Sequence, residues 1–282
     1  MPNDPQGGTL YLVGTPIGNL EDMTFRAVRI LQMVDAIAAE DTRHTGKLLH
    51  HFQITTPQIS YHEHNRQQRI PELLAQLQAG KAIALVTDAG MPLISDPGYE
   101  LVKACTEAGI PIVPIPGCTA AIAGLSGSGL PTDRFVFEGF LPSKGSQRRD
   151  RLATLQTETR TFILYEAPHR LRQTLADLAD SLGEERQIVL AREITKLHEE
   201  FWRGSIGKAI AEFSQREPQG EFTLVVAGAP LEQPIFSEET LKEELQKLLN
   251  QGISRSEASR QLAKTTSVSR RLIYQLALDL PS

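Results

Sequence analysis

The stretch Leu10–Asn19, LYLVGTPIGN, is a short apolar run followed at once by a loop with two glycines and a proline. A run of this length that stops at Gly14 is typical of a buried strand in a parallel sheet. Glycines after such a strand let the backbone approach a ligand at the carboxyl edge of the sheet, where open α/β sheets bind. The stretch predicts an α/β fold with a ligand loop, although a plain strand-to-helix turn fits these residues about equally well.

The rest of the chain predicts two α/β domains and a small helical unit. Short apolar runs alternate with segments of helical period up to a turn cluster at 131–133, which marks a first domain over 1–130. A second and smaller α/β set follows over 131–230, with apolar runs at 162–165, 188–191 and 222–226. Residues 231–282 have only helical periodicity and are predicted to form a basic helical C-terminal unit.

Composition excludes several classes of protein. The 282 residues are 40% hydrophobic and 22% charged with a net charge of −5, which is typical of an ordinary globular protein. No apolar run approaches the ~20 residues that cross a bilayer, and the polar start lacks the pattern of a secretory signal, so a cytoplasmic protein without membrane contact is expected. Neither the histidines nor Cys105 and Cys118 have the spacing of a metal site, and no metal is expected.

Two further loops follow predicted strands. In residues 87–98, TDAGMPLISDPG, Asp88 stands where the sheet ends and is the ligand candidate, whereas Asp96 is expected to cap the next helix. In residues 114–121, PIPGCTAA, the loop opens into a helix of small residues. Small residues let the helix and strand backbones sit close, which leaves room for a flat adenosine. The loops lack the dinucleotide fingerprint, a Walker lysine and a complete hydrolase elbow, which disfavours those three functions.

Two segments are basic despite the negative net charge. Residues 143–151 contain the cations Lys144, Arg148, Arg149 and Arg151, and this density suits contacts to RNA phosphates, with a solvated helix face as the alternative. Residues 252–271 are also basic, and Ser254 with Glu257 has the spacing of a capping box. The tail helices are expected either to bind RNA or to complete a dimer.

Several long motifs carry a resemblance to a known family. They are LVGTPIGNLED at 12–22, AEDTRHTGKLL at 39–49, VTDAGMPLISDPG at 86–98 and YEAPHR at 165–170, together with 116–121, 139–142 and 220–226. With these motifs the chain resembles, over nearly its whole length, the ribosomal RNA ribose methylase I branch of the tetrapyrrole methylase superfamily. The strand-one loop departs from the G-x-G-P-G-D of precorrin-type members, which argues against a tetrapyrrole substrate.

The resemblance implies a class III methyltransferase, usually a homodimer, that binds S-adenosylmethionine in the cleft between two α/β domains. The implied substrate is the 2′-hydroxyl of a cytidine in the decoding region of 16S RNA in the small ribosomal subunit. Matching the family's motifs position by position implies these cofactor-binding residues: Pro16, Asp88, Ala89, Gly90, Ile94, Thr119, Ala120, Ala167 and Ala229.

A base for the hydroxyl proton is the least determined part of the site. Glu166 and His169 stand where a second-domain strand gives way to a helix and are the first candidates. Asp41, Arg43 and His44 are alternatives, unless Asp41 or Thr42 caps a helix and Arg43 pairs with an acid. Two rival functions remain open: methylation of a tetrapyrrole or other small molecule, and a ribosome-assembly factor without catalysis.

Overall fold

The first sheet is wholly parallel. A computed structural model describes residues 4–230, 237–266 and 268–280. The strand order is β3-β2-β4-β1-β5, and the strands are β1 (Leu10–Val13), β2 (Ala36–Ala39), β3 (Gln58–Ser60), β4 (Ile83–Val86) and β5 (Ile112–Ile115). The central strands β2 and β4 are buried throughout, as expected for a sheet covered on both faces.

Five helices accompany this sheet: α1 (Phe25–Met33), α2 (Thr42–His51), α3 (Arg66–Gln78), α4 (Tyr99–Glu107) and α5 (Ala120–Ser128). Ala27 and Ile30 of α1 and Leu49 of α2 belong to the core on one face. Leu73 of α3 and Leu101 of α4 belong to the core on the other. The first four helices therefore form the two outer layers, and the carboxyl ends of the strands remain open.

The second sheet has mixed strand directions, with the order β6-β7-β10-β8-β9. Its strands are β6 (Phe135–Phe140), β7 (Thr161–Glu166), β8 (Gln187–Arg192), β9 (Glu200–Ser205) and β10 (Phe222–Val226). Only β6 and β7 pair in parallel, and the remaining neighbours are antiparallel. Three helices lie against one face: α6 (Ser146–Gln156), α7 (Pro168–Leu182) and α8 (Ile206–Gln215).

Helix α5 covers the other face of the second sheet. Ala121 and Leu125 of α5 share a buried cluster with Ile163 and Val225 of that sheet. The small residues of α5 serve this contact, because a Cβ on Gly124 would lie 2.8 Å from Thr223 Cγ2. Gly124 therefore lets α5 approach β10 closely, as expected for the small residues of this helix.

The C-terminal unit consists, over its described residues, of α9 (Glu238–Asn250), α10 (Arg255–Thr265) and α11 (Arg270–Leu278) around its own apolar core. Ser254 caps α10, as predicted, by accepting a hydrogen bond from the Glu257 amide. The Glu257 carboxylate does not complete the capping box and instead forms an ion pair with Arg260 at 2.8 Å. No helix of the described residues is long and apolar enough to cross a membrane.

Candidate active site

Three loops meet at the carboxyl edge of the first sheet. Thr15 and Gly90 exchange two backbone hydrogen bonds of 2.9 and 3.1 Å. A Cβ on Gly14 would lie 2.7 Å from the Gly117 Cα, and one on Gly117 would lie 2.8 Å from the Gly14 Cα. Because neither position has room for a side chain, the loops after β1 and β5 touch through their backbones.

These loops form one wall of a cavity of about 400 Å³ that the second sheet closes. The first sheet supplies loop residues that are mostly small or apolar, and the second supplies the ends of β6, β7, β8 and β10. The lining residues are Ile17, Ala89, Gly90, Met91, Ile94, Ser95, Asp96, Thr119, Ala120, Phe140, Tyr165, Glu166, Ala167, Pro168, Ala191, Ile194, Glu221, Phe222 and Thr223. A cavity of this size suits a nucleoside-sized ligand.

The loop before α4 has a strained backbone. Leu93 and Ser95 have φ values of 74° and 66°, a region that side chains other than glycine rarely adopt. Gly98 has φ 135° and is the N-cap of α4, so the expectation that Asp96 caps this helix is wrong. Strain of this kind persists where the surrounding structure enforces it and is common at functional sites. The loop places Asp96 in the cavity wall.

Asp96 is a half-buried carboxylate among other acids. Burial, with help from the negative charges of Glu40 and Asp88, raises the pKa of Asp96 to about 6, although a hydrogen bond with Thr87 opposes this shift. Burial and Asp88 also raise the pKa of Glu40. Asp96 therefore carries a negative charge near neutral pH that a positively charged ligand would stabilise.

Tyr165 joins the two sides of the cavity. Its hydroxyl accepts a hydrogen bond of 3.0 Å from the Ala121 amide at the start of α5. Its ring meets Phe137 and Phe140 edge to face, with centroids 5.1 and 5.7 Å away. Burial raises the pKa of the Tyr165 phenol, so the group stays neutral. Tyr165 is thus a fixed neutral wall of the site.

Glu166 and His169 have different environments. Glu166 lines the cavity but is 2% exposed, and its oxygens accept hydrogen bonds from the Ala167 amide at 2.9 Å and from Thr174 Oγ1 at 2.6 Å. Arg170 forms an ion pair with it at 3.3 Å. His169 is exposed and is absent from the residues that line the cavity. This geometry suits Glu166 for holding the start of α7.

The alternative base candidates lie around α2. Asp41 caps this helix through the Arg43 amide and pairs with the Arg43 guanidinium at 2.7 Å, as the structural alternative anticipated. The hydrogen bonds from Arg43 hold the pKa of Asp41 well below its usual range. Asp41 is therefore a helix cap that remains ionised and a poor proton acceptor at neutral pH.

The predicted cofactor residues do not all lie in one place. Six of them line the cavity, namely Ala89, Gly90, Ile94, Thr119, Ala120 and Ala167. Pro16 and Asp88 instead line a smaller neighbouring pocket. Ala229 lies in neither, and its amide donates to the Glu158 carbonyl at 2.6 Å.

Sequence reasoning missed Asp96 and the contributions of Ala191 and Phe222. The position of Asp96 follows from two unusual φ angles that no local motif announces. Ala191 and Phe222 lie at the adjacent ends of β8 and β10, which a sequence without strand pairing cannot bring together. The one feature of the sequence that could have indicated Asp96 is that residues 87–98 contain a second carboxylate beside Asp88.

The predicted RNA-binding cations also separate. Arg148 is 7% exposed and donates to Asp177 Oδ2 at 2.6 Å, to the Pro142 carbonyl at 3.0 Å and to Thr174 Oγ1 at 2.9 Å. Arg151 is exposed and pairs with Glu138. Lys144 and Arg149 are exposed. Arg148 thus joins α6 to α7 and is not presented to a phosphate, in contrast to Lys144 and Arg149.

The smaller pocket, called the side pocket below, has a volume of about 250 Å³. It shares two loops with the cavity of about 400 Å³, which is called the main cavity. It is lined by Thr15, Pro16, Gly18, Leu20, His44, Thr45, Lys47, Leu48, Thr87 and Asp88. Pro16 and Gly18 face this side pocket, whereas Ile17 faces the main cavity. The loop after β1 therefore forms the partition between the two.

Known proteins share both the sequence and the fold. A family model described as Tetrapyrrole (Corrin/Porphyrin) Methylases matches residues 9–210. A protein of Synechocystis sp. named Ribosomal RNA small subunit methyltransferase I is 64% identical over 97% of this chain and 98% of its own length. Its namesake in Escherichia coli O157:H7 is 47% identical over 98% of this chain and 96% of its own length.

Solved structures share the architecture at low identity. Uroporphyrin-III-C-methyltransferase from Thermus thermophilus matches 78% of this chain and 94% of its own, with a TM-score of 0.57 and 22% identity. A cobalt precorrin-4 methyltransferase matches 78% of this chain and 95% of its own, with a TM-score of 0.59 and 15% identity. These likenesses show that the fold is that of the tetrapyrrole methylases, as the motifs predicted.

Proposed function

Because the chain belongs to the tetrapyrrole methylase family and to its ribosomal RNA small subunit methyltransferase I proteins, we propose that it methylates a ribose 2′-hydroxyl in 16S ribosomal RNA. The methyl donor is S-adenosylmethionine, and the target is a cytidine of the decoding region in the small ribosomal subunit. The observation that carries the proposal is 64% identity over 97% of the chain to a protein of that name.

The residues of the main cavity fit S-adenosylmethionine. Its adenine ring is flat and has apolar faces, which suits the small residues Ala89, Gly90 and Ala120 and the apolar Ile94. Thr119 and Ala167 complete the predicted set in the cavity wall. The donor carries positive charge on its sulfur and its amine. Asp96 is a carboxylate with a raised pKa, and a cation nearby would lower that pKa and stabilise the ionised form. When bound, S-adenosylmethionine supplies an electrophilic methyl group.

The protein contributes mainly by positioning the two reactants. Methyl transfer is an in-line displacement, and correct orientation of two reactants can supply ~7–11 kcal/mol of the barrier. The Gly14–Gly117 contact and the Thr15–Gly90 hydrogen bonds fix the loops on one side of the cavity. Tyr165 and its hydrogen bond from Ala121 fix the other. These contacts therefore position the loops on both sides of the cavity.

Surface charge supports contact with RNA rather than with a small substrate. Lys144 and Arg149 are exposed just after β6, whose last residue Phe140 lines the cavity. Arg270 and Arg271 are exposed at the start of α11 in the C-terminal unit. Such cations suit phosphate contacts, which position an RNA without reading its sequence. We expect the tail to contribute either to RNA binding or to a homodimer.

The test is transfer of labelled methyl from S-adenosylmethionine to small ribosomal subunits that lack the modification, followed by nuclease mapping of the labelled position. We expect label in one cytidine of the decoding region. Parallel reactions contain uroporphyrinogen III, and label in that compound alone would instead support a tetrapyrrole methylase. Binding to subunits without any transfer would support an assembly factor.

A further inference from the structure

The side pocket beside the main cavity has features of a built ligand site. Residues of three loops or helices meet there: Thr15 after β1, Asp88 after β4, and Thr45 of α2. Asp88 and Ala89 are adjacent in sequence but face different spaces, Asp88 the side pocket and Ala89 the main cavity. A ligand in the side pocket would thus lie next to whatever occupies the main cavity.

Thr45 points to a missing partner in this pocket. The residue is 2% exposed and lines the pocket, and its Oγ1 has no hydrogen-bond partner among the described residues. A threonine in a helix can donate to the carbonyl four residues earlier, yet this hydroxyl does not do so. Because a buried polar atom without a partner is unfavourable, a ligand group that bonds to Thr45 would be stabilised.

The charges of the pocket are divided between its wall and its rim. Lys47 and His44 lie on the exposed side of α2. Asp88 is half-buried, and its Oδ1 accepts a hydrogen bond of 3.2 Å from the Asp41 amide. A phosphate inside the pocket would meet the Asp88 carboxylate, whereas a phosphate at the rim would meet Lys47. The arrangement therefore suits a ligand with donors inside and negative charge outside.

An unstacked nucleotide with an amino-bearing base has this distribution of charge. A carboxylate accepts a hydrogen bond from the exocyclic amino group of cytosine, and the keto oxygen of uracil cannot donate one. Leu20, Leu48 and Pro16 supply apolar surface for the ring. Proteins that read RNA sequence do so mainly on single-stranded segments whose bases can be splayed out.

We propose that the side pocket binds one splayed cytidine or adenosine of the RNA, next to the nucleotide that reacts in the main cavity. In this arrangement Asp88 contacts the base amino group, Thr45 contacts a polar atom of the nucleotide, and Lys47 contacts the adjoining phosphate. The reacting nucleotide meets S-adenosylmethionine at the mouth of the main cavity, next to this base. The assignment rests on the proposed RNA methylation, and it gives that reaction a residue that selects sequence.

The test measures binding of labelled cytidine and uridine hexamers by fluorescence anisotropy with the full-length protein. We expect the wild type to prefer the cytidine hexamer by about fivefold or more, the range of one good base contact. Asp88→Asn keeps the acceptor for the Asp41 amide and should abolish this preference. Thr45→Val is nearly isosteric and should weaken binding of the cytidine hexamer without loss of folding.

Lys47→Ala should weaken both hexamers alike and lower the salt dependence of log affinity by about one unit of slope. The matched control is Lys103→Ala, an exposed lysine in the middle of α4 on the opposite face of the same sheet, which should leave both affinities unchanged. Calorimetry with S-adenosylmethionine should give the same affinity for wild type, Thr45→Val and Lys47→Ala.

Equal binding of the two hexamers by the wild type, or an unchanged preference in Asp88→Asn, would overturn the assignment. Transfer of methyl to small subunits is measured separately for the wild type. Transfer with no hexamer preference means that the side pocket is misassigned while the proposed function holds. A preference for the cytidine hexamer that Asp88→Asn abolishes, without methyl transfer by the wild type, would support the side-pocket assignment and contradict the proposed function.

Discussion

Asp96 shows at the scale of a single residue how a binding site lowers stability. Its pKa is raised from 3.8 to about 6 by burial and by the nearby charge of Glu40, so the folded protein retains a proton that the unfolded chain releases. Between these two values, the stability that this group contributes falls as the pH rises. A positively charged donor bound in the cavity, as proposed, would offset this unfavourable charge.

Asp96→Asn should therefore separate stability from binding. At pH 7.5, without S-adenosylmethionine, we expect the variant to be more stable by about 1–2 kcal/mol, because it removes a carboxylate whose charged form burial disfavours, and solvent screens part of that cost. Affinity for S-adenosylmethionine should fall at least about tenfold. Denaturant unfolding and calorimetry measure the two effects. The control Asp180→Asn, at an exposed position of α7, should change neither, and equal donor affinity in Asp96→Asn would contradict this role.

Glu166, unlike Asp96, is expected to stabilise the fold and not to take part in binding or catalysis, because its oxygens already accept hydrogen bonds within the protein. Glu166→Gln should lower the melting temperature. The NH2 group that replaces one carboxylate oxygen cannot accept a hydrogen bond, so either the Ala167 amide or Thr174 Oγ1 loses its acceptor. The methyl-transfer rate at 25 °C should remain within about fivefold of wild type, with an unchanged pH profile. A loss of 10²-fold or more, the range of a positioned base, together with a shifted profile would restore Glu166 as the proton acceptor.

Arg148 and Arg149 are neighbours with different tasks. Arg148→Ala leaves the partly buried Asp177 carboxylate without its guanidinium, and we expect a loss of about 3 kcal/mol in unfolding free energy. Arg149→Ala should leave stability unchanged and weaken RNA binding with a smaller salt slope. Urea unfolding and RNA binding at several salt concentrations distinguish them. Equal losses of unfolding free energy in the two variants would show that burial of Arg148 and exposure of Arg149 do not give them different roles.

At the scale of elements, the backbone contact between the loops after β1 and β5 positions the cavity wall. Gly14→Ala or Gly117→Ala must push the two loops apart, because each new Cβ meets backbone atoms within 3 Å. We expect S-adenosylmethionine affinity to fall about tenfold or more and stability to fall by about 1–3 kcal/mol. Calorimetry and unfolding measure both.

The matched control for these glycines is Gly46→Ala in α2, where a Cβ would meet only the Gln58 amide at 3.5 Å. Alanine at this helical position should stabilise the protein by about 0.5–1 kcal/mol without loss of donor affinity. Unchanged affinity in both loop variants would show that the close approach is not needed for binding.

Elements with strong local signals could be predicted from the sequence. The bounds of β1, β2 and β5 follow the apolar runs, and Ser254 marks the start of α10. Helix α2 begins at Thr42 because Asp41 caps it, which was one of the alternatives for Asp41 that the sequence left open. The strand β9, Glu200–Ser205, has an intermediate burial pattern and no apolar run, so its existence depends on pairing with β8.

In the whole molecule, the residues that each of the two sheets contributes to the cavity could be predicted only in part. The motifs place the cofactor loops at one edge of the first sheet, and six of the nine expected residues do line the cavity. The packing of α5 against the second sheet is a long-range contact between Gly124 and Thr223 that no local pattern encodes. This packing is what closes the cavity, because Ala121 at the start of α5 bonds to Tyr165.

Mass spectrometry of the nucleoside released from methylated 16S RNA shows whether the new methyl lies on the ribose or on the base. Attack by a ribose oxygen needs no covalent adduct to the base, whereas methylation of a pyrimidine carbon typically uses a cysteine that attacks the base. Cys118, in the loop after β5, donates from its thiol to the Asp22 carbonyl. We expect a cytidine with the new methyl on the 2′-oxygen, and its 3′ phosphodiester should resist alkali. A methyl on the base, with an unmodified ribose, would contradict it.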